Sequence, residues 1–252
     1  MKGEMRVKKN IGQEFVEKTK YQYLGISDQE KELPQPPLAW GAEGANCIDL
    51  PRPETLAMPA VDLTQAIEAR KTWRKYTGEP LSLAELSYLL WATQGVKQVT
   101  SRPTTLRTVP SAGARHPLET FILVNQVEGL RPGLYRYLAL EHQLAEVCLE
   151  ADVRERLVAA CGKQVFVGTS AVTFFWVADA YRSVWRYQER AYRYIYLDAG
   201  HVCQNLYLAA QVVGGGCCAV GAYNDDQLNA ELGLNGVDHF VVYAATVGKI
   251  NT

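Results

Sequence analysis

The sequence has almost no net charge and no long apolar run. Its 252 residues carry a formal net charge of −1 at pH 7, so electrostatics gives no reason to expect binding to nucleic acid or to an anionic membrane. A membrane-spanning helix needs roughly 18 consecutive apolar residues, whereas the longest apolar run, SAVTFFWVADA at residues 170–180, has the length of a strand and is interrupted by Asp179. The first residues also lack the apolar region of a signal peptide, and we therefore expect a cytoplasmic protein.

The usual metal-binding and disulfide patterns are absent as well. The four histidines are scattered and form no i,i+4 pair, so their spacing predicts no metal site. No CxxC pair occurs among the six cysteines, and the adjacent Cys217 and Cys218 are poorly placed for a disulfide or for tetrahedral metal binding. We expect free and mostly buried thiols at Cys47, Cys148, Cys161, Cys203, Cys217 and Cys218.

Common nucleotide-binding and hydrolase signatures are also missing. The sequence contains no GxxxxGK[ST], GxSxG or HExxH motif. The glycine cluster VVGGGCCAVG follows a helical pattern instead of a strand, and it lacks the GxGxxG spacing of a dinucleotide-binding fold. The chemistry of this protein must therefore be sought in other segments.

The first 60 residues differ in character from the rest. They are rich in proline, glycine and charge and show no sustained periodicity, which predicts an extended N-terminal arm. Apolar residues such as Leu38 and Trp40 indicate that this arm packs on the body or on a partner subunit. In residues 61–252, helical and strand patterns mix without regular βαβ alternation, which predicts one α+β domain.

Helix caps and apolar alternation predict most elements of that domain. Asp62 is predicted to cap a first helix, and Ser82 with Glu85 forms a capping-box pattern for a second helix that ends at Gly95. Asp225 is predicted to cap a short helix at residues 225–233. The other predictions are a helix at Ala151–Cys161, strands at Thr120–Val124, Leu134–Leu138, Leu144–Leu149, Ala171–Val177, 217–223 and 239–248, and a polar loop at residues 97–108.

Residues 182–214 form the longest periodic stretch and predict a long helix. Its second half is apolar almost all round, and Gly200 with several alanines provides small faces. A helix with so little polar surface is buried on several sides, either in the core or in a subunit interface.

Two short segments could carry chemistry. The first, VPSAGARHPLE at residues 109–119, places four small residues before a predicted strand. Small residues contribute little to a core, so residues 110–113, the small-residue segment, are either an ordinary turn or a place where backbone lies close to a ligand. His116 follows this segment, and we do not assign it as a catalytic base.

The second is EARKTWRKY at residues 68–76, of which residues 70–76 are called the cationic segment. Its cations lie at the predicted C-terminal end of a helix, where they would complement the helix dipole. The functional alternative is an anion site in which Arg70 and Arg74 bind a phosphate and Thr72 adds a hydroxyl.

Four stretches, in this order, resemble the nitroreductase superfamily of FMN-dependent oxidoreductases. RKTWRKY resembles the Arg-Arg-Ser-x-Arg-x-Phe opening of the superfamily. PSAGARHPLE, RAYRYIYLDAGHVCQNLYLAA and CCAVGAYNDDQLNAELGL resemble its SagB-type dehydrogenase branch, which is similar to azoline oxidases. The resemblance covers about residues 62–249. It implies a nitroreductase-like fold, with a mixed, mainly antiparallel central sheet flanked by helices, in an interlocked homodimer that binds FMN at two sites in its interface.

The resemblance also implies cofactor-binding residues. Arg70, Thr72 and Arg74 would hold the phosphate, the ribityl chain and the pyrimidine edge of FMN. The small-residue segment of the other subunit would pack on the ring, and a backbone N–H in the segment of Gly221 and Ala222 would lie near flavin N5. The remaining residues implied are Pro110, Ser111, Ala112 and Gly113 for ring packing, Gly221 and Ala222 near N5, and Lys249 as a further phosphate contact.

In the azoline oxidases of this branch a Lys-Tyr pair before the long helix is thought to assist proton removal. This chain has Arg186 and Tyr187 there. Arginine does not deprotonate in proteins, so the difference argues against azoline oxidation, and Tyr187 is either a proton donor or an interface aromatic.

The function implied is that of an FMN-dependent oxidoreductase, with hydride transfer through flavin N5 in a ping-pong cycle. The substrate would be a small molecule or a modified peptide, with NAD(P)H as an electron donor to test. The alternatives are an FMN-binding carrier, sensor or flavin-modifying protein without turnover of an external substrate, and a dimeric scaffold that has lost FMN.

Overall fold

A computed structural model of the chain describes residues 10–251. These residues contain eight α-helices: α1 (Ile11–Lys18), α2 (Leu63–Ala69), α3 (Leu83–Gln94), α4 (Val153–Ala160), α5 (Val165–Thr169), α6 (Ala180–Tyr187), α7 (Ala191–Val212) and α8 (Asp225–Glu231). They also contain nine strands: β1 (Cys47–Asp49), β2 (Val96–Val99), β3 (Thr105–Arg107), β4 (Leu118–Val124), β5 (Gly133–Leu138), β6 (Gln143–Cys148), β7 (Val172–Asp179), β8 (Gly215–Val220) and β9 (His239–Lys249).

Seven of the strands form one sheet in the order β1-β6-β5-β4-β7-β9-β8, and each neighbouring pair is antiparallel. The strand β7 is buried along its whole length, which explains its continuous apolar sequence. Because successive side chains point to opposite faces, Phe174 and Trp176 pack in a core with α3 and α7, and Phe175 and Val177 pack in a second core with α4 and α8. The predicted α+β fold, an antiparallel central sheet flanked by helices, is confirmed.

Two of the three predicted helix caps, Asp62 and Ser82, are observed at the expected residues. The Asp62 carboxylate accepts a hydrogen bond from the Gln65 N–H at 3.0 Å, and Ser82 and Glu85 form the reciprocal capping box of α3. Parallel pairing among the described residues is limited to two isolated bridges outside the named strands, so the central sheet is antiparallel throughout and not mixed as expected. The cap of α8 is Asn224 and not Asp225, because the Asn224 side chain accepts the Gln227 N–H.

Two predictions for regular elements were wrong. Residues 97–108 were expected to be a polar loop, but β2 and β3 form an antiparallel hairpin there. Most residues of β2 are exposed, so the hairpin has no apolar alternation from which it could be predicted. The predicted long helix is interrupted at Gln188, where φ is 49° and ψ is −140°, so α6 and α7 are separate helices.

The N-terminal arm is not simply extended. It contains α1, which begins with a capping box of Asn10 and Gln13, and it contributes the edge strand β1 to the sheet. The arm packs on the body of its own chain: the Trp40 indole N–H donates to Asp179 at 2.9 Å, and the Trp185 indole N–H donates to the Leu33 carbonyl at 3.0 Å. A domain boundary at residue 60 stays a prediction.

The cysteines in the described residues are all free thiols. Four of them are buried, and Cys47 and Cys148 are half-buried. Burial raises the pKa of the Cys161 and Cys203 thiols to about 12, so both are protonated near neutral pH. Across residues 10–251 we find no cluster of three or more metal-ligating side chains, and no helix there is long and apolar enough to cross a bilayer.

Candidate functional site

The cationic segment lies along the edge strand β8. Helix α2 ends one residue before Arg70, and the chain then runs extended beside the strand. Thr72 forms a parallel bridge with Cys217, and the Trp73 N–H donates to the Cys217 carbonyl at 2.9 Å. This approach requires Gly216, because a Cβ there would lie 2.5 Å from Trp73 Cγ.

Extended backbone places Arg70, Thr72 and Arg74 on one side of the cationic segment. The Arg70 guanidinium lies 5.4 Å from the Tyr207 ring centroid, and Thr72 Oγ1 lies 3.3 Å from Tyr207 Oη. Thr72 and Arg74 are exposed. Burial raises the pKa of the Cys218 thiol, and the nearby charge of Arg74 acts in the opposite direction. Only Arg70 stands at the helix terminus, so helix-dipole stabilisation does not account for the later cations of the segment.

Tyr207, on α7, joins the cationic segment to β8. Its hydroxyl accepts a hydrogen bond from the Ala219 N–H at 2.9 Å, in addition to the contact with Thr72. Burial raises the pKa of Tyr207 above its usual value, so the phenol stays protonated and can donate to Thr72. The segment is therefore anchored from beneath, while Lys71, Arg74 and Lys75 are exposed.

The small-residue segment is held by a buried carboxylate on the same helix. Ser111 Oγ donates to Asp198 Oδ2 at 2.6 Å, and the Ala112 N–H donates to Asp198 Oδ1 at 3.3 Å. Ser111 Oγ in turn accepts the His116 N–H at 2.9 Å. Burial raises the pKa of Asp198, although the hydrogen bonds from Ser111 and Ala112 act in the opposite direction.

Gly113 and Tyr187 are in direct contact. Gly113 has φ 58° and ψ 24°, in the left-handed region that favours glycine. A Cβ at this position would overlap with Tyr187 Oη, so the glycine is needed both for its backbone conformation and for this contact. The Tyr187 ring packs edge-on against Tyr194, with ring centroids 4.9 Å apart. The structure thus places Tyr187 beside the small-residue segment of its own chain.

Within one chain, the small-residue segment and the cationic segment lie at different positions along α7. The first contacts the helix at Asp198 and the second at Tyr207. These residues are nine positions apart, about 13.5 Å along the axis at the rise of an α-helix. The structure therefore does not bring the two predicted halves of the site together within one chain.

Gly221 and Ala222 are exposed and directly follow β8. The Ala222 carbonyl accepts a hydrogen bond from Gln164 Nε2 at 2.7 Å. A Cβ at Gly221 would meet nothing closer than Tyr243 Cε2, at 4.0 Å. Internal packing therefore does not explain why the chain has a glycine at this position.

Lys249, which was expected to contact a phosphate, forms an ion pair and a hydrogen bond within its own chain. Its ammonium pairs with Glu85 Oε1 at 2.5 Å and donates to the Val213 carbonyl at 2.8 Å. Glu85 is also the carboxylate of the α3 capping box. Because a phosphate would have to compete with these contacts, Lys249 is left out of the phosphate site.

A buried polar cluster lies behind the small-residue segment. Arg115 Nε donates to the Arg182 carbonyl at 2.9 Å, and the fully buried Arg182 pairs with Glu119 at 2.5 Å. Burial, followed by the nearby charge of Arg107, lowers the pKa of His116 to about 3. The imidazole is therefore neutral at physiological pH and enclosed, which agrees with not assigning it as a base.

Asp198 and Tyr207 were missed in the sequence, and each left a different signal. Asp198 is a carboxylate in an apolar helix pattern, and buried carboxylates usually have a specific partner. Tyr207 is one of 14 tyrosines and shows no distinguishing pattern, since its role depends on two segments that are distant in sequence.

The matches to known proteins cover the part of the chain that contains these segments. A sequence model of the nitroreductase family matches residues 67–249. The chain is 34% identical over 168 residues to a candidate nitroreductase of Methanocaldococcus jannaschii, MJ1384, covering 67% of this chain and 82% of the relative. It is also 29% identical over 133 residues to the trifolitoxin-processing protein TfxB of Rhizobium leguminosarum bv. trifolii, covering 51% of this chain but only 36% of that protein.

Solved structures agree with this assignment. A candidate nitroreductase of Ralstonia eutropha matches with a TM-score of 0.68 and 28% identity, over 87% of this chain and 95% of that one. One from Anabaena variabilis matches with a TM-score of 0.69 and 29% identity, over 84% of this chain and 43% of that one.

A chain of the Escherichia coli microcin synthetase McbBCD, solved with truncated pro-MccB17, matches with a TM-score of 0.61 over 96% of this chain and 92% of that one. At 20% identity this match shows the fold alone. The chain belongs to the nitroreductase family, whose members are oxidoreductases.

Proposed function

We propose that this protein is an FMN-dependent oxidoreductase whose flavin lies between two copies of the chain. The observation that carries the proposal is the separation of the small-residue segment and the cationic segment along α7, with an exposed face of that helix between them. Each copy would contribute one half of each flavin site.

The exposed face of α7 has the composition of a helix contact. Leu197 is 59% exposed, and Gly200, His201 and Gln204 continue the face toward the half-buried Leu208. Apart from the neighbouring backbone of α7, no atom of residues 10–251 lies within 4 Å of the position that a Cβ at Gly200 would occupy. A glycine in the middle of such a face lets another backbone approach closely.

A two-fold axis through this face would bring the two segments of different copies together. In an antiparallel α7–α7 contact, a two-fold axis between residues 202 and 203 would bring Asp198 of one copy opposite Tyr207 of the second copy. The small-residue segment of one copy would then lie beside the cationic segment of the other. The same axis pairs Leu197 with Leu208 and His201 with Gln204, and it places Gly200 opposite the half-buried Asn205.

An open cleft beside this face supports the same contact. It has a volume of about 450 Å³ and lies between α2, α3 and α7, with Leu63, Trp91 and Leu208 among its lining residues. Leu63 is 62% exposed. Exposed apolar surface of this kind is typical of an interaction site, and a second copy would cover it.

The residues present fit FMN. Arg70 and Arg74 provide cations for a phosphate, and Thr72 provides a hydroxyl. The small-residue segment offers backbone and methyl groups that a flat ring can contact, and the exposed glycine at position 221 leaves room for its edge. The backbone N–H groups of Gly221 and Ala222 would lie near flavin N5.

Bound FMN would supply hydride transfer at N5 in a ping-pong cycle. The chain would bind the phosphate, exclude water by closure of the dimer, and orient the substrate. Tyr187 Oη, which contacts Gly113, would hold or donate a proton to the substrate. Arg186 would stay charged and could not act as a base.

We propose a small molecule or a modified peptide as the substrate. The match to TfxB, a protein that processes trifolitoxin, supports a peptide. The family assignment and the likeness to MJ1384 support a small nitroaromatic or quinone, with NADH or NADPH as the electron donor.

The test is an anaerobic titration of the purified protein, reconstituted with FMN, against NADH and NADPH. We expect bleaching of the flavin band by at least one donor, and recovery of the band when a quinone or a nitroaromatic is added. A bound flavin that stays inert toward all donors and acceptors would favour a carrier, sensor or flavin-modifying protein. A colourless protein that cannot be reconstituted would favour a scaffold that has lost FMN.

A further inference from the structure

The junction between α6 and α7 (residues 185–194) contains a residue in an uncommon conformation. Gln188 has φ 49° and ψ −140°, a region that residues with a Cβ rarely adopt. Such a conformation persists only when surrounding contacts hold it. The position of Tyr187, the residue directly before it, therefore depends on those contacts.

The N-terminal segment, residues 15–29, supplies contacts at this residue. The Gln188 side-chain amide pairs with both backbone groups of Gly25: Nε2 donates to the Gly25 carbonyl at 2.6 Å, and Oε1 accepts the Gly25 N–H at 2.9 Å. The Gln29 N–H donates to the Trp185 carbonyl at 2.9 Å. The last turn of α6 is thus attached to the N-terminal segment on both sides of Tyr187.

The first turn of α7 is attached to the same segment. Arg190 Nη1 donates to the Thr19 carbonyl at 3.0 Å, and Arg193 Nε donates to Thr19 Oγ1 at 2.6 Å. The hydroxyls of Tyr21 and Tyr194 are 2.7 Å apart, and the Arg190 guanidinium lies 4.1 Å from the Tyr21 ring centroid. These contacts fix Tyr194, the ring against which Tyr187 packs.

We infer that the N-terminal segment is a positioning element for Tyr187. It holds Gln188 in its uncommon conformation and Tyr194 in place, and this keeps Tyr187 Oη at Gly113. If Gln188 relaxed to helical values, α6 would continue toward α7 and Tyr187 would rotate away from the small-residue segment. The inference rests on the proposed function for the catalytic role of Tyr187, whereas the placement of its side chain does not depend on flavin.

The test uses the full chain with 3-fluorotyrosine at position 187, observed by 19F NMR in the presence and absence of FMN. We expect one narrow resonance in the parent protein. Gln188→Ala and Arg190→Gln should broaden or split it, because the side chain samples more than one position. Tyr181→Phe is the matched control: it removes the Tyr181 hydrogen bond to Asp28, which joins the same two regions but at the first turn of α6, and it should leave the resonance unchanged.

The functional arm measures kcat and KM of the flavin-loaded protein. Gln188→Ala and Arg190→Gln should each lower kcat about tenfold or more, since small misplacements of a reacting group are costly, with little change in KM. In a Tyr187→Phe background neither substitution should lower kcat further. Equal losses in both backgrounds would overturn the positioning role.

The 19F NMR measurement decides the inference even if the protein turns over no substrate. An unchanged 19F resonance in both test variants would overturn the inference whether or not the protein binds flavin. A changed resonance in a protein that binds no FMN would leave the positioning of Tyr187 intact and reject the proposed function instead. If Gln188→Ala does not fold, Gln188→Glu keeps the acceptor for the Gly25 N–H but loses the donor, and a smaller change in the same direction is then expected.

Discussion

The small-residue segment and the cationic segment differ in how their own chain holds them. Ser111 and Ala112 both hydrogen-bond the buried Asp198, and Gly113 lies under Tyr187. In the cationic segment, the backbone is tied to β8 while the cationic ends are not neutralised: none of the ion pairs within residues 10–251 involves Arg70 or Arg74. The first segment is therefore preorganised, whereas the second offers unpaired charge to a ligand.

We expect the small-residue segment to contribute the contact with the flavin ring and the cationic segment to contribute the contact with the phosphate. Substitutions in the small-residue segment should damage both the fold and the ring contact. Substitutions in the cationic segment should change phosphate affinity with little effect on stability. Three predictions, from the largest expected effect to the smallest, test this division.

The largest effect is expected for Gly113→Val. A branched side chain at φ 58° is strained and would overlap with Tyr187, so we expect the free energy of unfolding to fall by about 2–4 kcal/mol. The Kd for FMN should rise more than about 100-fold, which corresponds to about 2.7 kcal/mol. Urea denaturation and a flavin-fluorescence titration measure the two quantities.

The control for this change is Gly129→Val. Gly129 also has positive φ, 75°, but a Cβ there would meet no atom within 4 Å. It reports the cost of backbone strain alone. If Gly113→Val and Gly129→Val had equal FMN affinity, the close-contact argument for the small-residue segment would be wrong.

A smaller effect is expected for Arg70→Ala. Charge-assisted hydrogen bonds contribute about 1.5–3 kcal/mol, so we expect the Kd for FMN to rise about 10- to 100-fold while the free energy of unfolding stays within about 0.5 kcal/mol of the parent. Riboflavin, which lacks the phosphate, should bind parent and variant equally. Isothermal titration with both flavins measures this difference.

Lys75→Ala is the matched control for Arg70→Ala. It removes the same charge from the same exposed segment, on the side opposite to Arg70, Thr72 and Arg74. Its FMN affinity should stay close to that of the parent. Equal losses in the two variants would show a general electrostatic attraction instead of a phosphate contact.

The smallest effect is expected for Asp198→Asn, and it depends on pH. An asparagine can still accept from Ser111 but cannot also accept from the Ala112 N–H, so we expect a loss of about 1 kcal/mol in the free energy of unfolding. Because burial holds the pKa of Asp198 above its usual value, its ionisation disfavours the native state. The stability that the parent has over the variant should therefore be greatest below about pH 4 and should fall as pH rises through the native pKa.

Urea denaturation of both proteins between pH 3 and pH 8 tests this sign. A difference that stayed constant across the range would mean that Asp198 has an ordinary pKa. A difference that grew with pH would mean that the Asp198 carboxylate is stabilised by its surroundings, with the nearby His201 as the first group to examine.

Much of the fold follows from local patterns. The caps at Asp62 and Ser82 depend on residues three positions apart, so the sequence predicts them directly. The strands β4, β5, β6 and β7 appear as apolar runs close to their observed bounds. The β2–β3 hairpin could not be predicted in this way, because it is held by backbone pairing and exposes most of its side chains.

The site was less accessible to prediction than the fold. The cationic segment and the small-residue segment stand out by composition, and the family resemblance linked them to a flavin. Their anchors, Tyr207 and Asp198, depend on contacts 135 and 87 residues apart in sequence, which no local pattern records. Lys249 illustrates the opposite case: its sequence position suggested a phosphate contact, but its ammonium is paired with Glu85.

The sequence by itself determined the α+β class, the caps of α2 and α3 and the two segments that differ from ordinary core or surface, because caps, periodicity and small-residue runs are properties of neighbouring residues. Only the tertiary structure decided where the long helical stretch breaks, which carboxylate holds the small-residue segment, and that the two segments contact α7 nine positions apart. These features depend on the packing of distant elements. The break at Gln188 shows this most directly, since contacts from residues 15–29 maintain a backbone conformation that the local sequence would not adopt.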